Sequence, residues 1–579
     1  MKTENIFSIK YALFALFMLF SATVMGQVQV TGTVSDEFGP VLGATVREKG
    51  TQNGTATDMD GKFQLKVKNV NATLSISFVG YKSQNVNLAG RTSVNVTLKA
   101  DAQMLDETVV VGYGKMKRSD LAGASTTLDN KALEEGNITN IDQAFQGRVA
   151  GVTSIATSGA PGSSQSIRVR GQATINAGAE PLYVIDGVIF QGGGQSGADL
   201  GLGDRLGNGS VSTVSPLSTI NPADIISMEI LKDASATAIY GAQGSNGVVL
   251  ITTKRGKSGE AKFTYDGSVT MSRQMKRLDM MNLREFATYY NTLVDQGEIT
   301  ANSADPMYSD PSVLGIGTNW QDAVFRTAWQ HNHQISAQGG TDKVQYYVSG
   351  NFMNQEGTII GSNFERYGLR ANLDAQLKPW LKLGLNASYT ATSDNLKLAD
   401  SDEGIINYSL VTPPDIQIYN IDGGYSSVSK EGFTNPNPIA MAMLNEILLD
   451  RQKLNGSIFA DVTLLKSLVW HAELGWDLSW SKGSTYEPKV DLGTWVRDNN
   501  NGRIQKNSST YWTVKNYLTW NEQFGKHGVT AMLGQECWES KWDHVSVYNT
   551  GLPSDVVHNP ALGSGKAQIG SGFGSSAMA

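Results

Sequence analysis

Between Tyr367 and Leu377 every second residue is apolar or small: Tyr367, Leu369, Ala371, Leu373, Ala375 and Leu377. Gly368, Arg370, Asn372, Asp374 and Gln376 stand between them. After a turn at Lys378-Pro379-Trp380 the pattern resumes, with Leu381, Leu383, Leu385, Ala387 and Tyr389 set against Lys382, Gly384, Asn386, Ser388 and Thr390. A second hairpin repeats it. Leu454, Ile458, Ala460, Val462 and Leu464 alternate with Asn455, Ser457, Asp461 and Thr463. Trp470, Ala472, Leu474, Trp476, Leu478 and Trp480 then alternate with His471, Glu473, Asp477 and Ser479. Segments of about ten residues, apolar on one face and polar on the other, are the pattern of a bacterial transmembrane β-barrel. Many aromatic residues fall at or near strand ends, where an interfacial girdle belongs. In this register Leu373 faces lipid and Asn372 faces the lumen.

The connections separate this reading from a large soluble β-sandwich, which would share the alternation. Nine candidate strands span 262–271, 332–338, 344–353, 366–377, 381–391, 453–464, 468–480, 511–521 and 528–538. Short turns at 339–343, 378–380, 465–467 and 523–528 alternate with long connections at 272–331, 354–365, 392–452 and 481–510. Short periplasmic turns and long extracellular loops are what such barrels have. The first and ninth strands both rise from the periplasm. The chain is then expected to end outside, in the Gly/Ser-rich tail 563–579. An open sheet in lipid leaves edge groups that each cost several kcal/mol. The expectation is therefore an N-terminal fragment of a longer product, carrying an incomplete barrel.

The residues ahead of the barrel divide into four parts. Residues 1–26 read as a secretory signal peptide. Lys2 and Lys10 give the positive start, Tyr11–Phe20 the apolar run, and Val24 and Gly26 the small positions before cleavage. Ten apolar residues are too few for a membrane span, which needs ~20. Residues 27–100 hold short β-prone runs at 28–34, 44–48, 63–67, 73–78 and 94–98 with turn residues between them, the spacing of a β-sandwich. Asp58-Met59-Asp60-Gly61 has the start of a calcium loop without the rest, and reads as a β-turn. Residues 101–117 are a linker. Inside it Thr108-Val109-Val110-Val111 is strongly β-prone, with Gly112 and Gly114 after it. In a linker, such a segment has no obvious partner within its own chain. It is either a template for another protein's sheet edge or the first strand of the next domain. Residues 118–258 form an α/β domain. Its helices are placed at 141–149 and 234–240, a capped turn at Asn221-Pro222-Ala223-Asp224, and strands at 167–171, 182–187, 226–231 and 248–253.

Three of these segments carry a family resemblance. They are Thr108–Gly114 followed by Pro181-Leu182-Tyr183-Val184-Ile185-Asp186-Gly187; the run Ile230-Leu231-Lys232-Asp233-Ala234-Ser235-Ala236-Thr237-Ala238-Ile239-Tyr240-Gly241; and Gly247–Lys254. Together they resemble the SusC-like TonB-dependent outer-membrane transporters (SusC/RagA family). Residues 27–100 resemble the carboxypeptidase regulatory-like domain, a binding or spacer fold without peptidase chemistry. Thr108 stands where the family's TonB box is usually hydrophobic, and Gln243 where Arg is expected. The fold class implied is mainly β: an N-terminal β-sandwich module, an α/β plug domain and an antiparallel transmembrane β-barrel of about 22 strands when complete.

The resemblance implies an importer of a nutrient too large for passive diffusion, an oligosaccharide or other oligomer, in the outer membrane of a Gram-negative, Bacteroidetes-like bacterium. Thr108, Val109, Val110, Val111 and Gly112 would bind TonB in the periplasm, powered by the inner-membrane ExbB/ExbD module. A SusD-like surface lipoprotein would lid the barrel, and outer-membrane lipid would surround it. The substrate-contacting residues are not readable. The alternative is an outer-membrane receptor or adhesin that binds without transport.

Composition narrows the classes further. There are 47 Lys+Arg against 54 Asp+Glu, a net charge of −7, which is not the basic field of a nucleic-acid binder. One cysteine, Cys537, excludes a disulfide framework and a Cys-rich metal cluster. No nucleophile–base set and no cofactor motif appears, so the chain is read as a non-enzyme without catalytic, cofactor or metal residues. His331-Asn332-His333 has the look of a ligand pair but no third ligand beside it. Asn282-Leu283-Arg284-Glu285 is a capping box that predicts a helix in the first long loop.

Overall fold

The computed structural model describes residues 28–98, 108–117, 125–129, 140–171, 180–191, 215–399, 404–427 and 436–578, apart from short gaps within those ranges. The signal-peptide reading of 1–26, the linker residues 101–107, Gly112 and the Gly-rich stretches between 192 and 214 lie outside the described residues.

The N-terminal module is a two-sheet sandwich. Its strands are β1 (Val28–Ser35), β2 (Thr45–Glu48), β3 (Gly54–Ala56), β4 (Lys62–Val67), β5 (Thr73–Ser77), β6 (Gln84–Asn87) and β7 (Ser93–Thr97). One sheet has the order β4-β1-β7 and the other β3-β2-β5-β6. Alternation buries one face of each strand, so Val30, Val46, Phe63, Leu65, Leu74, Ile76 and Val94 share one core. Burying each such side chain contributes about 1.5–3 kcal/mol. β3 and β6 were not anticipated, because three or four residues carry little period. Asp58 forms a turn: its Oδ1 accepts from the backbone N–H of Asp60 at 3.0 Å and of Lys62 at 2.8 Å.

Thr108–Val111 is a strand, β8, and it pairs with β9 (Gly114–Lys117) as a two-stranded sheet. This corrects the expectation of a strand with no partner within its own chain. It is not a strand of the next domain's sheet either. A lone two-stranded ribbon is marginal in water, and each strand keeps one unpaired edge.

The plug domain contains β10 (Ser125–Asp129), β11 (Val152–Ala156), β12 (Gln165–Val169), β13 (Leu182–Ile185), β14 (Val188–Ile189), β15 (Ile225–Leu231) and β16 (Val248–Thr253). The main sheet has the order β10-β15-β16-β13-β14, and β11 and β12 form a separate hairpin. β13 and β16 run parallel. The Val248-Val249-Leu250-Ile251 run of β16 is apolar throughout because both its faces are covered. Two helix expectations are corrected. Residues 141–149 hold only a 3-10 turn, Ile141–Phe145, because Gly147 takes φ +69°. The second helix is four residues, Ala234–Thr237, followed by a 3-10 run interrupted at Gly241 (φ +58°).

The barrel wall consists of β17 (Gly259–Ser272), β18 (Ala328–Gly340), β19 (Val344–Glu356), β20 (Asn363–Lys378), β21 (Leu381–Asn395), β22 (Glu446–Leu465), β23 (Leu468–Glu487), β26 (Asn501–Phe524), β27 (His527–Thr550) and β28 (Gln568–Met578). A small hairpin, β24 (Val490–Leu492) and β25 (Trp495–Arg497), sits in the connection after β23. The ten wall strands are each antiparallel to the next, with β17 and β28 as the two edges. The count of nine is therefore corrected to ten. Gln568–Met578, expected as part of a Gly/Ser-rich tail, is a strand returning along β27. Gly572 and Gly574 have no side chains to shield the ladder. The rings of His544 and Trp542 on β27 lie where their Cβ atoms would be, at 2.5 Å and 2.6 Å. Such cross-strand aromatic cover offsets the poor strand propensity of glycine.

At the long-loop end the connections have a core of their own, built from Trp320, Leu396, Ile405, Ile439 and Ile447. The predicted helix is present as Leu283–Asp295. Asn282 Oδ1 accepts from the Glu285 N–H at 3.1 Å, and Glu285 Oε2 accepts from the Asn282 N–H at 3.0 Å.

Candidate functional site

The site is the seam where the inner face of the wall meets the plug. Asn221-Pro222-Ala223-Asp224 builds its first half. Asn221 Oδ1 accepts from the Ala223 N–H at 3.3 Å, and proline supplies a preset φ, so a single 3-10 turn carries Asp224 toward the wall. There one oxygen of Asp224 accepts from Gln334 Nε2 at 2.9 Å, Tyr347 OH at 2.8 Å and Ser349 Oγ at 2.7 Å. Those three donors stand on β18 and β19.

The second half is the tight turn between β13 and β14. Asp186 takes a left-handed φ of +47°, a conformation aspartate tolerates better than most side chains. Its carboxylate accepts from the Thr253 N–H at 3.1 Å and the Thr253 hydroxyl at 2.6 Å, which ties the turn to β16. Arg370 of β20 lies between the two carboxylates. Its Nη1 is 3.5 Å from Asp186 Oδ2 and its Nε is 3.9 Å from Asp224 Oδ2. Arg370 also donates to Thr253 Oγ1 at 3.0 Å. Asn372 donates to Thr253 Oγ1 at 3.0 Å and to the Lys254 carbonyl at 2.6 Å. All of these groups are buried, and buried charge is tolerated only when it is paired and hydrogen-bonded.

Four more wall cations reach the plug, and their plug acceptors are mostly backbone carbonyls. Arg366 Nη1 donates to the carbonyls of Ser218 at 3.1 Å and Ile220 at 3.2 Å. Arg451 donates to the Ser215 carbonyl at 3.1 Å and the Ser218 hydroxyl at 3.0 Å, and pairs with Asp394 at 3.4 Å. Lys453 donates to the Gln191 carbonyl at 2.9 Å, pairs with Asp477 at 2.9 Å, and sits 3.6 Å from the Phe190 ring centroid. Lys515 donates to the Gly187 carbonyl at 2.6 Å. Strand alternation in the sequence put Arg370 on the polar face, but it said nothing of what that face meets. The available signal was the residue type: five long cations on inward positions, facing a domain rich in turn carbonyls and carrying two turn carboxylates.

A cavity of about 450 Å³ opens between the plug and the upper wall. Amides and hydroxyls dominate its lining, among them Asn140, Gln143, Gln146, Ser158, Ser163 and Gln165. Asp142 lies on the same 3-10 turn as Gln143. Burial, only partly offset by a hydrogen bond with Ser215, pushes its carboxyl up to about 7. Near neutral pH the Asp142 carboxyl is therefore only about half ionised.

Of the residues predicted to bind TonB, Thr108–Val111 form β8, remote in sequence from this seam, and Gly112 lies outside the described residues. His331 and His333 face outward from the wall; Tyr265 OH is 2.7 Å from His333 Nδ1. Among the described residues no cluster of three or more His, Cys, Asp or Glu could hold a metal ion.

A CarboxypepD_reg-like domain matches residues 30–110, and a TonB-dependent Receptor Plug Domain matches residues 117–248. The chain is 34% identical over 537 residues to the TonB-dependent receptor SusC of Bacteroides thetaiotaomicron, covering 88% of this chain and 50% of that protein. It is 32% identical over 547 residues to a TonB-dependent receptor of Formosa agariphila, covering 92% of this chain and 50% of that one. The chain thus spans about half the length of the curated relatives it matches. Among solved structures, the RagAB peptide importer in its open-open state aligns with a TM-score of 0.68 at 24% identity, over 81% of this chain and 53% of that one. That likeness is one of fold.

Proposed function

We propose, from the premise that this chain belongs to the SusC-like TonB-dependent receptors, that it supplies the plug and part of the wall of an outer-membrane nutrient importer. The observation that carries this reading is the seam. Wall cations on β20, β22 and β26 and hydroxyl or amide donors on β18 and β19 hold the plug. A lumen closed by that many bonds does not open by thermal motion alone, so passage requires work delivered to the plug.

In this reading Thr108–Gly112 receives the work. TonB would add a strand to β8, either at its unpaired edge or in place of β9, and the ExbB/ExbD module would pull. A ladder of main-chain hydrogen bonds transmits tension without demanding particular side chains. The regulatory-like module at 27–100 and the linker at 101–117 would lie in the periplasm, behind a signal peptide at 1–26. The long connections would face outward, where a SusD-like lipoprotein could lid them.

The cargo is proposed to be an oligomer, a glycan first. The cavity is lined by amides and hydroxyls, which both donate and accept hydrogen bonds, as sugar hydroxyls do.

Val110→Pro tests the central claim in the full-length receptor. Proline removes a donor from the strand without touching plug or wall. Uptake of a panel of labelled glycan oligomers and peptides should fall to the level of a tonB-null strain, while surface binding of the same probes is retained. Uptake at the normal rate would overturn the TonB assignment. Binding without energised uptake in the unaltered protein would favour the receptor or adhesin reading.

A further inference from the structure

Tension arriving from Thr108–Val111 reaches the plug sheet through β10, whose first residue is Ser125. Among the described residues β10 is the edge strand of the plug sheet, and its ladder partner is β15. The two run antiparallel, with Ser125 opposite Leu231 and Asp129 opposite Ser227. The wall, in contrast, grips the plug just ahead of the other end of β15. Ser215, Ser218, Ile220 and Asp224, held by Arg451, Arg366, Tyr347 and Ser349, lead directly into Ile225. Pull and restraint therefore act at opposite ends of one strand pair. That geometry loads the ladder bonds together, in shear, instead of opening them one at a time.

One side chain reinforces the loaded end. Lys232 directly follows β15, and its Nζ donates to Thr126 Oγ1 on β10 at 2.7 Å and also to the Ala150 carbonyl. It thereby ties β10 and the turn before β11 to the end of β15. The next residue, Asp233, pairs with Arg170 at the end of β12. Nothing in the seam with the wall uses Lys232.

We propose that Lys232 and the β10–β15 pair form a clasp that sets the force at which the plug yields, with Lys232 as a positioning residue acting through β10. The proposal rests on the reading that Thr108–Val111 is pulled, but its test does not.

The full-length receptor in a supported membrane is pulled by a cantilever attached to a tag placed ahead of Thr108. The unaltered protein should give a first rupture that frees β10, Ser125–Asp129, from β15, a step of at least about 17 Å at ~3.4 Å per residue. Lys232→Met should shift this rupture to lower force. Thr126→Val, which removes one of the two acceptors and keeps a β-branched side chain, should give an intermediate shift. Lys232→Arg should restore it. Heat-modifiable mobility and ligand binding at rest should be the same in all four proteins. That would separate a mechanical role from a general loss of fold. An unchanged rupture force in Lys232→Met would overturn the proposal. So would a first step shorter than the five residues of β10 allow. If Val110→Pro leaves uptake intact while the force ranking holds, the transport reading fails and the clasp stands.

Discussion

β20 and β28 belong to the same sheet, send successive side chains to opposite faces as all strands do, and differ in what covers their inner faces. On β20 the inward residues Arg366, Arg370 and Asn372 are 1%, 6% and 2% exposed, because the plug lies against them. On β28 the inward positions include Gly570, Gly572 and Gly574; rings of the neighbouring strand cover Gly572 and Gly574, and Gly570 faces the Ser546 hydroxyl. Outward, both strands carry apolar side chains open to the surroundings: Leu369 at 64% and Phe573 at 86%. Alternation thus reports the lipid side faithfully on both strands. It does not report whether the other side meets water, a neighbour or a second domain. That difference decides what a substitution costs.

The comparison breaks most sharply at Arg370. Arg370→Ala would leave Asp186 and Asp224 buried without their cation, a loss of about 3–5 kcal/mol for a buried pair broken on one side. The plug should become protease-sensitive, and cells should become permeable to large hydrophilic antibiotics such as vancomycin. Ser576→Ala, inward on β28, should stay within about 0.5 kcal/mol and change neither readout. Similar behaviour in the two variants would mean that the seam does not hold the plug.

Leu373 and Asn372 sharpen it next. Leu373→Arg places a charge on the lipid face and should cost about 2–4 kcal/mol near mid-membrane, seen as reduced heat-modifiable protein in the outer membrane. Sequence alone places Asn372 toward the lumen and passes Asn372→Arg as tolerated. The structure corrects that: Asn372 is bonded to Thr253 and Lys254 of the plug. Asn372→Arg should therefore assemble normally yet admit vancomycin. Assembly defects of equal size would show that the two faces are misassigned.

The smallest effect belongs to the far edge. Trp542→Ala uncovers Gly574 and should cost about 0.2–1 kcal/mol, the range of a cross-strand pair. Faster amide exchange along Gln568–Met578, with the seam unaffected, is the expected signal. Unchanged exchange would remove the aromatic cover as the reason this segment is a strand.

These residues also mark how far the sequence could be read. The hairpins at 363–395 and 446–487 were legible because lipid forces a two-residue period on every strand it touches. β28 was not, since Gly-Ser-Gly-Phe-Gly-Ser-Ser has almost no period and depends on rings supplied from another strand. The strand at Thr108–Val111 was legible from β-branching, but its pairing with β9 was not, because Gly114-Lys115-Met116-Lys117 has little strand propensity of its own. The seam was invisible for a different reason. Arg370 and Asp186 are separated by 184 positions, and Lys515 and Gly187 by 328. No local pattern encodes such a pairing.

The wall's preference for carbonyl acceptors bears on how the plug changes over generations. Ser215, Ser218, Ile220, Gln191 and Gly187 each offer the wall a main-chain oxygen, which every amino acid possesses. Mutation at those codons cannot delete the acceptor; it can only move it by reshaping the turn. Asp186, Asp224, Asn221, Thr253 and the Ser218 hydroxyl carry the anchorage that does depend on side-chain identity. Variation at rim positions that offer the wall only a carbonyl is therefore nearly free of anchoring consequences. Lineages, or engineers grafting new rim segments, could retune what enters without redesigning how the stopper is fastened.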